Sequence, residues 1–434
     1  MVSFLRFQLA LTALIVGFTT SSAYAKVYLN SQCTMKANSG KIEGNGSKDE
    51  KFPLASISKL VTSLWAIETL GANYRFETKI HVTKVGPKAY DMHFEGSRDP
   101  LMGRNVGYFI LAQLTMKQLG IERVENLTFD ENFQMEWNVE EPVAVAGDTK
   151  LFADITEQAA HVEHELENGF ITPIADNSYT YLRKISKSVG VKLPEDKPSI
   201  KFGNVSFLAK ADFKKTNETQ TFVYKSAPLY KIVKNMNNKS NNYVADHLYW
   251  NLGGTTAFNS YLAANLKMDN RDLEFNLGSG NNADYISKKK YDYNEGTCTA
   301  MIKVLIRLNE VLATQKLVLT DVMAVAGKDS ESTLVRYDGV MGDAMTAKTG
   351  TVDKAKTLAG TISTGNGTIY FVILMHKDSS GENGSAANAI KNRIRALFTI
   401  NNGSKKINYS ETTPLPFDSQ SALVLEYGPH LGMF

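Results

Sequence analysis

Ser56 and Lys59 stand three residues apart in PLASISKLVTSLWAIETLG, residues 53–71. On a helix that spacing puts a hydroxyl and an amine on one face. A serine hydroxyl is a poor nucleophile until a neighbouring base takes its proton. A lysine can be that base when burial and a second cation lower its pKa. The start of a helix beneath Ser56 would also favour the negative charge that develops on its oxygen. Alone the pair does not discriminate. Ser287 and Lys290 repeat the spacing in SKKK, and a helix-start serine beside a solvated lysine is common.

Two further clusters carry chemistry. In Ser240-Asn241-Asn242 a hydroxyl can relay a proton and an amide can hold a substrate peptide group. Ser279-Gly280-Asn281 shows the same spacing, and turn chemistry alone explains either. In Lys348-Thr349-Gly350-Thr351 the lysine and threonine hydroxyls can receive a carboxylate, and Gly350 would let a substrate backbone approach a strand. An edge strand with a solubilising lysine gives the same letters. His161 and His164, in HVEHELE, are one helical turn apart and could share a metal. A solvated acidic helix face is the reading taken here, so no metal and no cofactor is expected.

The elements that must position these residues follow from periodicity. After the Ser56 helix, which Gly71 can close, KIHVTKV and YDMHF alternate as half-buried strands do. VGYFILAQLTMKQLG and NSYTYLRKISKSVG read as helices, ENLTF and IKFGNVSFLA as strands. Together residues 73–222 form one predicted α+β insert. Beyond it, Leu229, Ile232, Val233 and Met236 mark a helix face after Pro228. The turn-rich NNKSNN, residues 237–242, then leads to a second helix. CTAMIKVLIRLNEVL and SAANAIKNRIRALF are further helices; AMTAKTGT, TLAGTIS and TIYFVILMH are strands, the last two joined by TGNG. The tail, 401–434, carries one possible strand at ALVLEY.

With 434 residues, 43% of them hydrophobic, the chain can bury a large core in more than one domain. A formal net charge of +3 is too balanced for a nucleic-acid binder. Residues 1–25 read as an export signal, with Arg6, the apolar run LALTALIVGF and the small-residue site AYA. That run is shorter than the roughly 20 residues needed to span a bilayer. Cleavage after Ala25 and an exported, periplasmic protein without a transmembrane segment are therefore expected. Cys33 and Cys298 are the only cysteines. Two distant cysteines in a large chain read as buried small hydrophobes rather than a disulfide.

Taken in order, the three clusters resemble the S-x-x-K, S-x-N and K-T-G set of penicillin-binding proteins and serine β-lactamases. PLASISKLVTSLWAIETLG is similar to the P-A-S-x-x-K opening of the DacB family, the type-4 penicillin-binding proteins that act as D-alanyl-D-alanine carboxypeptidases and endopeptidases. EGSRDPLM resembles its G-G-D-P-x-L stretch, with Ser97-Arg98 before Asp99. KSAPLYKIVKNMNNKSNNYVAD is similar to its S-x-N region, with Asp246 for glutamate, and AKTGT is shared outright. The resemblance spans roughly 27–398. Two departures stand out: the Ser56–Ser240 segment leaves room for one accessory domain instead of two, and Asn281-Asn282-Ala283 replaces the usual Leu-Ser-Arg.

The resemblance implies an α/β (α+β) transpeptidase fold, a five-stranded antiparallel sheet with a helical cluster. It would be built from 26–72 and 223–400, with 73–222 as an inserted accessory domain. It also implies peptidoglycan stem peptides as substrate and β-lactam antibiotics as acylating inhibitors. In this scheme Ser56 attacks a D-Ala carbonyl, Lys59 takes its proton, Ser240 passes one to the leaving amine, and Asn242 aligns the substrate amide. Lys348, Thr349, Gly350 and Thr351 hold the carboxylate, and Lys348 keeps Lys59 neutral. The rivals are a serine β-lactamase, a non-catalytic wall-binding protein and a metallopeptidase centred on His161 and His164.

Overall fold

The computed structural model describes residues 28–102, 108–134, 159–160, 162–164, 166, 173–198, 200–283, 290–412, 414–417, 422–425 and 430–432. The predicted export signal, Ser287 and His161 lie outside the described residues. No helix among the described residues is long and apolar enough to cross a membrane.

One antiparallel sheet places the K-T-G strand. Its members are β1 (Asn30–Lys36), β2 (Ile42–Gly44), β11 (Ala324–Val325), β12 (Met345–Val352), β13 (Ala355–Thr364) and β14 (Gly367–His376), in the order β11-β12-β13-β14-β1-β2. Six strands thus replace the five implied by the resemblance, the outermost being the short β2 and β11. β14 explains why the sheet is central. Tyr370, Val372 and Leu374 enter one apolar cluster, while Ile369, Phe371, Ile373 and Met375 enter another. A strand buried on both faces reads as the near-continuous apolar run YFVILM rather than as alternation.

On the first face lie α1 (Ser58–Leu70) and α7 (Cys298–Thr314); on the second lies α9 (Asn383–Ile400) through Ala386, Ile390, Ile394 and Phe398. α1 is buried all round from Ser58 to Ile67, as suits a helix at the centre of a core. Gly71 ends it at φ 88°, a left-handed-side value that glycine adopts without strain. Trp65 on α1 meets the rings of Tyr249, Phe258 and Tyr261 at 5.5, 5.4 and 5.8 Å. These belong to α5 (Asn242–Asn251) and α6 (Gly254–Tyr261), which follow α4 (Leu229–Lys239). The helices run into the predicted NNKSNN turn, leaving only Ser240 and Asn241 between α4 and α5. A small sheet, β3 (Lys51–Pro53), β10 (Glu295–Thr297) and β9 (Leu273–Glu274), flanks the entry to α1. A single turn, α8 (Asp338–Met341), precedes β12.

Cys33 on β1 and Cys298 at the start of α7 form a disulfide, their Cα atoms 6.0 Å apart across a separation of 265 residues. The expectation of two free, buried cysteines is therefore overturned. Packing α7 across β1 makes neighbours of residues that sequence distance separates.

A second large sheet runs β16-β15-β8-β4-β5-β6-β7. It comprises β4 (Glu77–Lys84), β5 (Ala89–Glu95), β6 (Arg123–Phe129), β7 (Lys201–Phe207), β8 (Thr219–Lys225), β15 (Ala422–Leu425) and β16 (His430–Gly432). β5, β6 and β7 pair in parallel, with α2 (Tyr108–Gln118) and α3 (Pro173–Ser188) in the crossovers that parallel strands require. β8 runs through the boundary expected at 222/223. The possible tail strand at ALVLEY is real, and β15 pairs with β8 from Ala422↔Lys225 to Leu425↔Phe222.

Candidate active site

Ser56 sits in a 3₁₀ turn, Ala55–Ile57, that feeds directly into α1. Ala55 holds φ 49°, a left-handed value costly for a residue with a Cβ. Two glycines lock this turn from opposite sides. A Cβ on Gly280, itself at φ 71°, would stand 2.1 Å from Ala55 O. One on Gly350 would stand 2.1 Å from Thr357 Oγ1 and 3.0 Å from Leu54 O. Thr357 Oγ1 also donates to Leu54 O at 2.9 Å. Gly350 therefore admits the chain's own Ser56 turn against β12.

Lys59, one helical turn on, is fully buried. Its Nζ lies 3.0 Å from Ser56 Oγ, 2.7 Å from Asn242 Oδ1 and 3.0 Å from Ser279 O. The last two groups can only accept hydrogen bonds. In the neutral amine they take both N–H groups, and the lone pair is left for Ser56. Burial holds the Lys59 ammonium well below the usual lysine range, with the Asp246 carboxylate acting against it. Asp246, one turn after Asn242 on α5, is 2% exposed and accepts from Ser279 N at 2.6 Å. Burial pushes its carboxyl up, against the pull of Lys59.

Ser240 occupies the left-handed cap of α4 at φ 57° and ψ 41°, and Asn241 caps α5 by accepting from Val244 N. The two-residue link thus aims Ser240 and Asn242 from adjoining helix ends. Lys348 Nζ donates to Ser240 Oγ at 2.9 Å and to Thr349 O at 2.9 Å. Because an ammonium offers donors only, Ser240 accepts here and keeps its own proton for another partner. Burial, then Lys59 and Arg336, hold Lys348 far below its ordinary value. Burial is the main cause that depresses Lys59, and its repulsion with Lys348, which is mutual, acts in the same direction.

Thr349 donates to Thr333 Oγ1 at 2.8 Å, and Thr351 accepts from Lys356 Nζ at 2.5 Å. Hydrogen bonds thus join Ser56, Lys59 and Asn242 in one set and Ser240 and Lys348 in another, with Gly350 and the two threonines on the same strand as Lys348. Sequence reasoning missed Asp246, Ser279, Thr333 and Lys356 as parts of this network. A carboxylate four residues after Asn242 on an apolar helix, and a lysine inside the apolar strand ALAG-like run AKTLAG, were the available signals. Asn281 is turned back on the same loop, its N–H donating to Ser279 Oγ at 3.2 Å.

The D-Ala-D-Ala carboxypeptidase 3 (S13) family profile matches residues 32–211 and 203–397. Among solved structures, the predatory endopeptidase Bd3459 of Bdellovibrio bacteriovorus, in complex with immunity protein Bd3460, is 49% identical. That match covers 92% of this chain and 100% of the other, with a TM-score of 0.84. The penicillin G-acylated form of Bd3459 matches at 48% identity over 92% of this chain and 100% of that one, with a TM-score of 0.81. Penicillin-binding protein 4 (dacB) from Haemophilus influenzae shares the fold at 16% identity, covering 85% of this chain and 96% of its own, with a TM-score of 0.56. No curated protein sequence matches. With the family profile spread across both large sheets and a relative at nearly half identity over 92% of the chain, this chain belongs to the D-Ala-D-Ala carboxypeptidase 3 (S13) family of serine peptidases.

Proposed function

We propose that this peptidase hydrolyses peptidoglycan stem peptides through an acyl-enzyme on Ser56, cleaving D-Ala cross-links as well as terminal D-Ala. The observation that carries the assignment is the hydrogen-bond set of Lys59, whose two obligate acceptors direct its lone pair to Ser56 Oγ. Lys59 takes the Ser56 proton as the hydroxyl attacks the D-Ala carbonyl. Backbone N–H groups of Ser56 and Thr351 stabilise the tetrahedral oxyanion, a contribution worth about 3 kcal/mol per donor. As the bond breaks, Ser240, held as an acceptor by Lys348, passes its free proton to the leaving amine. Asn242 aligns the substrate amide, and Lys348, Thr349 and Thr351 receive the carboxylate. Water then releases the acyl group.

The cross-link half of this reading is supported by the relatives, described as predatory peptidoglycan endopeptidases, and a segment with room for one accessory domain instead of two would leave more room for large polymer. Residues 26–72 and 226–400 are the catalytic domain in this scheme, and 73–225 with the tail strands the accessory one. Residues 1–25 direct export to the periplasm. The Cys33–Cys298 disulfide supports that location, because such bonds persist in oxidising compartments. An immunity protein is the kind of binding partner proposed, since the relatives are described in complex with one.

The test has two arms. Mass spectrometry after penicillin treatment should place the adduct on the peptide carrying Ser56; an adduct elsewhere, or none, overturns the assignment. A time course on cross-linked sacculi beside a soluble pentapeptide should show dimeric muropeptides disappearing. Terminal D-Ala release with the dimers intact removes the endopeptidase activity. Rapid turnover of nitrocefin would instead favour a β-lactamase.

A further inference from the structure

Lys356 is a charged residue with almost nothing to neutralise it. It is fully buried. The one side-chain hydrogen bond it makes among the described residues is the 2.5 Å contact to Thr351 Oγ1. No carboxylate of the described residues lies within ion-pair distance of it, although buried cations are ordinarily paired. Its position is not accidental to the site. β12 and β13 are joined by the two-residue turn Asp353-Lys354, and Lys356 is the register partner of Thr351. Directly opposed residues on antiparallel strands share a face and touch, so the hairpin fixes Lys356 beside the last threonine of K-T-G-T.

The direction of that hydrogen bond matters more than its length. A lysine ammonium can only donate, so Thr351 Oγ1 is the acceptor and its own proton points elsewhere. Thr349 differs, because it is 5% exposed and its hydroxyl proton goes to Thr333 Oγ1, a bond it must give up before it can receive a carboxylate. Thr351 is exposed and has a proton to offer. Burial, then Arg336 and Lys377, lower the Lys356 pKa to about 8. An anion arriving at Thr351 would meet this uncompensated positive field.

We propose that Lys356 is a specificity-determining positioning residue that holds the Thr351 hydroxyl as a donor to a carboxylate on the leaving side of the substrate. The proposal rests on the acyl-enzyme reading given above, and deepens it. The enzyme selects stem peptides whose residue beyond the scissile bond carries a free carboxylate. A terminal D-Ala has one, and so does the D-centre of a cross-linking diamino acid. Lys356 does not touch the substrate; it acts through Thr351.

The experiment compares acylation of Ser56 by penicillin G with acylation by its methyl ester, which keeps the reactive ring and removes the carboxylate charge. Lys356→Met should lower the second-order rate for penicillin G by about tenfold, the scale of one hydrogen bond to a charged group. The rate for the ester should stay within about twofold of wild type. Thr351→Val should likewise lose more on penicillin G than on the ester, and the double variant should show no larger carboxylate-selective loss than either single one, because both remove one interaction. Lys356→Arg, which keeps a buried donor, should retain most of the discrimination. Equal losses on the two probes, no loss on either, or fully additive effects would each overturn the proposal. Should Lys356→Met fail to fold, Thr351→Val and Lys356→Arg decide it. A carboxylate-selective loss in the first with discrimination retained in the second supports the proposal; any other pattern rejects it. A wild-type protein that is not acylated at all overturns the acyl-enzyme reading, a separate result from an acylated protein that ignores the carboxylate.

Discussion

Replacing Asp246 with asparagine removes one charge from behind Lys59 and leaves the surrounding geometry intact. Asparagine Oδ1 can still accept from Ser279 N, the bond that is 2.6 Å long in the native protein. Lys59 donates at 3.0 Å to the carbonyl of that same residue, so one residue bridges carboxylate and amine. At a separation of roughly 5–8 Å and an effective dielectric near 20, the attraction is about 2–3 kcal/mol, or about two pH units. The sign follows from the base role. A nearby carboxylate raises the Lys59 pKa, so its loss lowers that pKa and leaves the amine neutral at more acidic pH. The acid limb of the acylation rate should therefore move down by about two units in Asp246→Asn. Its plateau should fall modestly, because a less basic amine accepts a proton less readily. Single-turnover acylation by penicillin G across pH 4.5–9 (an assay range wide enough for both limbs) measures both quantities. Asp246→Ala should also displace Ser279 and cost far more of the plateau. A midpoint that stays put or moves upward in Asp246→Asn would refute the electrostatic role. Equal plateaus in the two variants would refute the positioning one.

Three other outcomes are expected. Lys59→Ala should slow acylation by about 10²–10⁴, the usual worth of general-base help; a wild-type rate would move the base to Ser240. Gly280→Ala should lower both melting temperature and acylation rate. Its Cβ would meet Ala55 O at 2.1 Å in a left-handed conformation, a combination costing about 1–3 kcal/mol. A thermal melt and an acylation assay on the same sample check it. Reducing the Cys33–Cys298 bond should destabilise the fold by about 2–5 kcal/mol, read from denaturant midpoints with and without reductant.

Periodicity made most of the fold readable. The α4 face of Leu229, Ile232, Val233 and Met236 is fully buried as its spacing required, and the run TIYFVILMH is the central strand. What escaped was anything set by long-range closure. Nothing near Cys33 announces Cys298, because their contact is made by α7 crossing β1. Nothing in ALVLEY announces that β15 will pair with β8, about two hundred residues earlier. Turn chemistry also misled at NNKSNN, where burial of Met236 and Asn237 carried α4 on to Lys239.

The site divides along the same line. Reactive side chains with fixed spacing, such as Ser56 with Lys59 or Ser240 with Asn242, are visible in one dimension. The groups that set their protonation are not, because their effect depends on burial. Asp246 and Lys356 would be ordinary surface charges if exposed; buried, each acts on a neighbour through a single residue or a single hydroxyl. Gly350 makes the same point for packing. Its missing side chain is demanded by Thr357 and Leu54, which bring the Ser56 turn against β12. The K-T-G glycine therefore ties the Ser56 turn to β12, so the spacing between the proposed nucleophile and the proposed carboxylate subsite is set by close packing at Gly350 rather than by either reacting group.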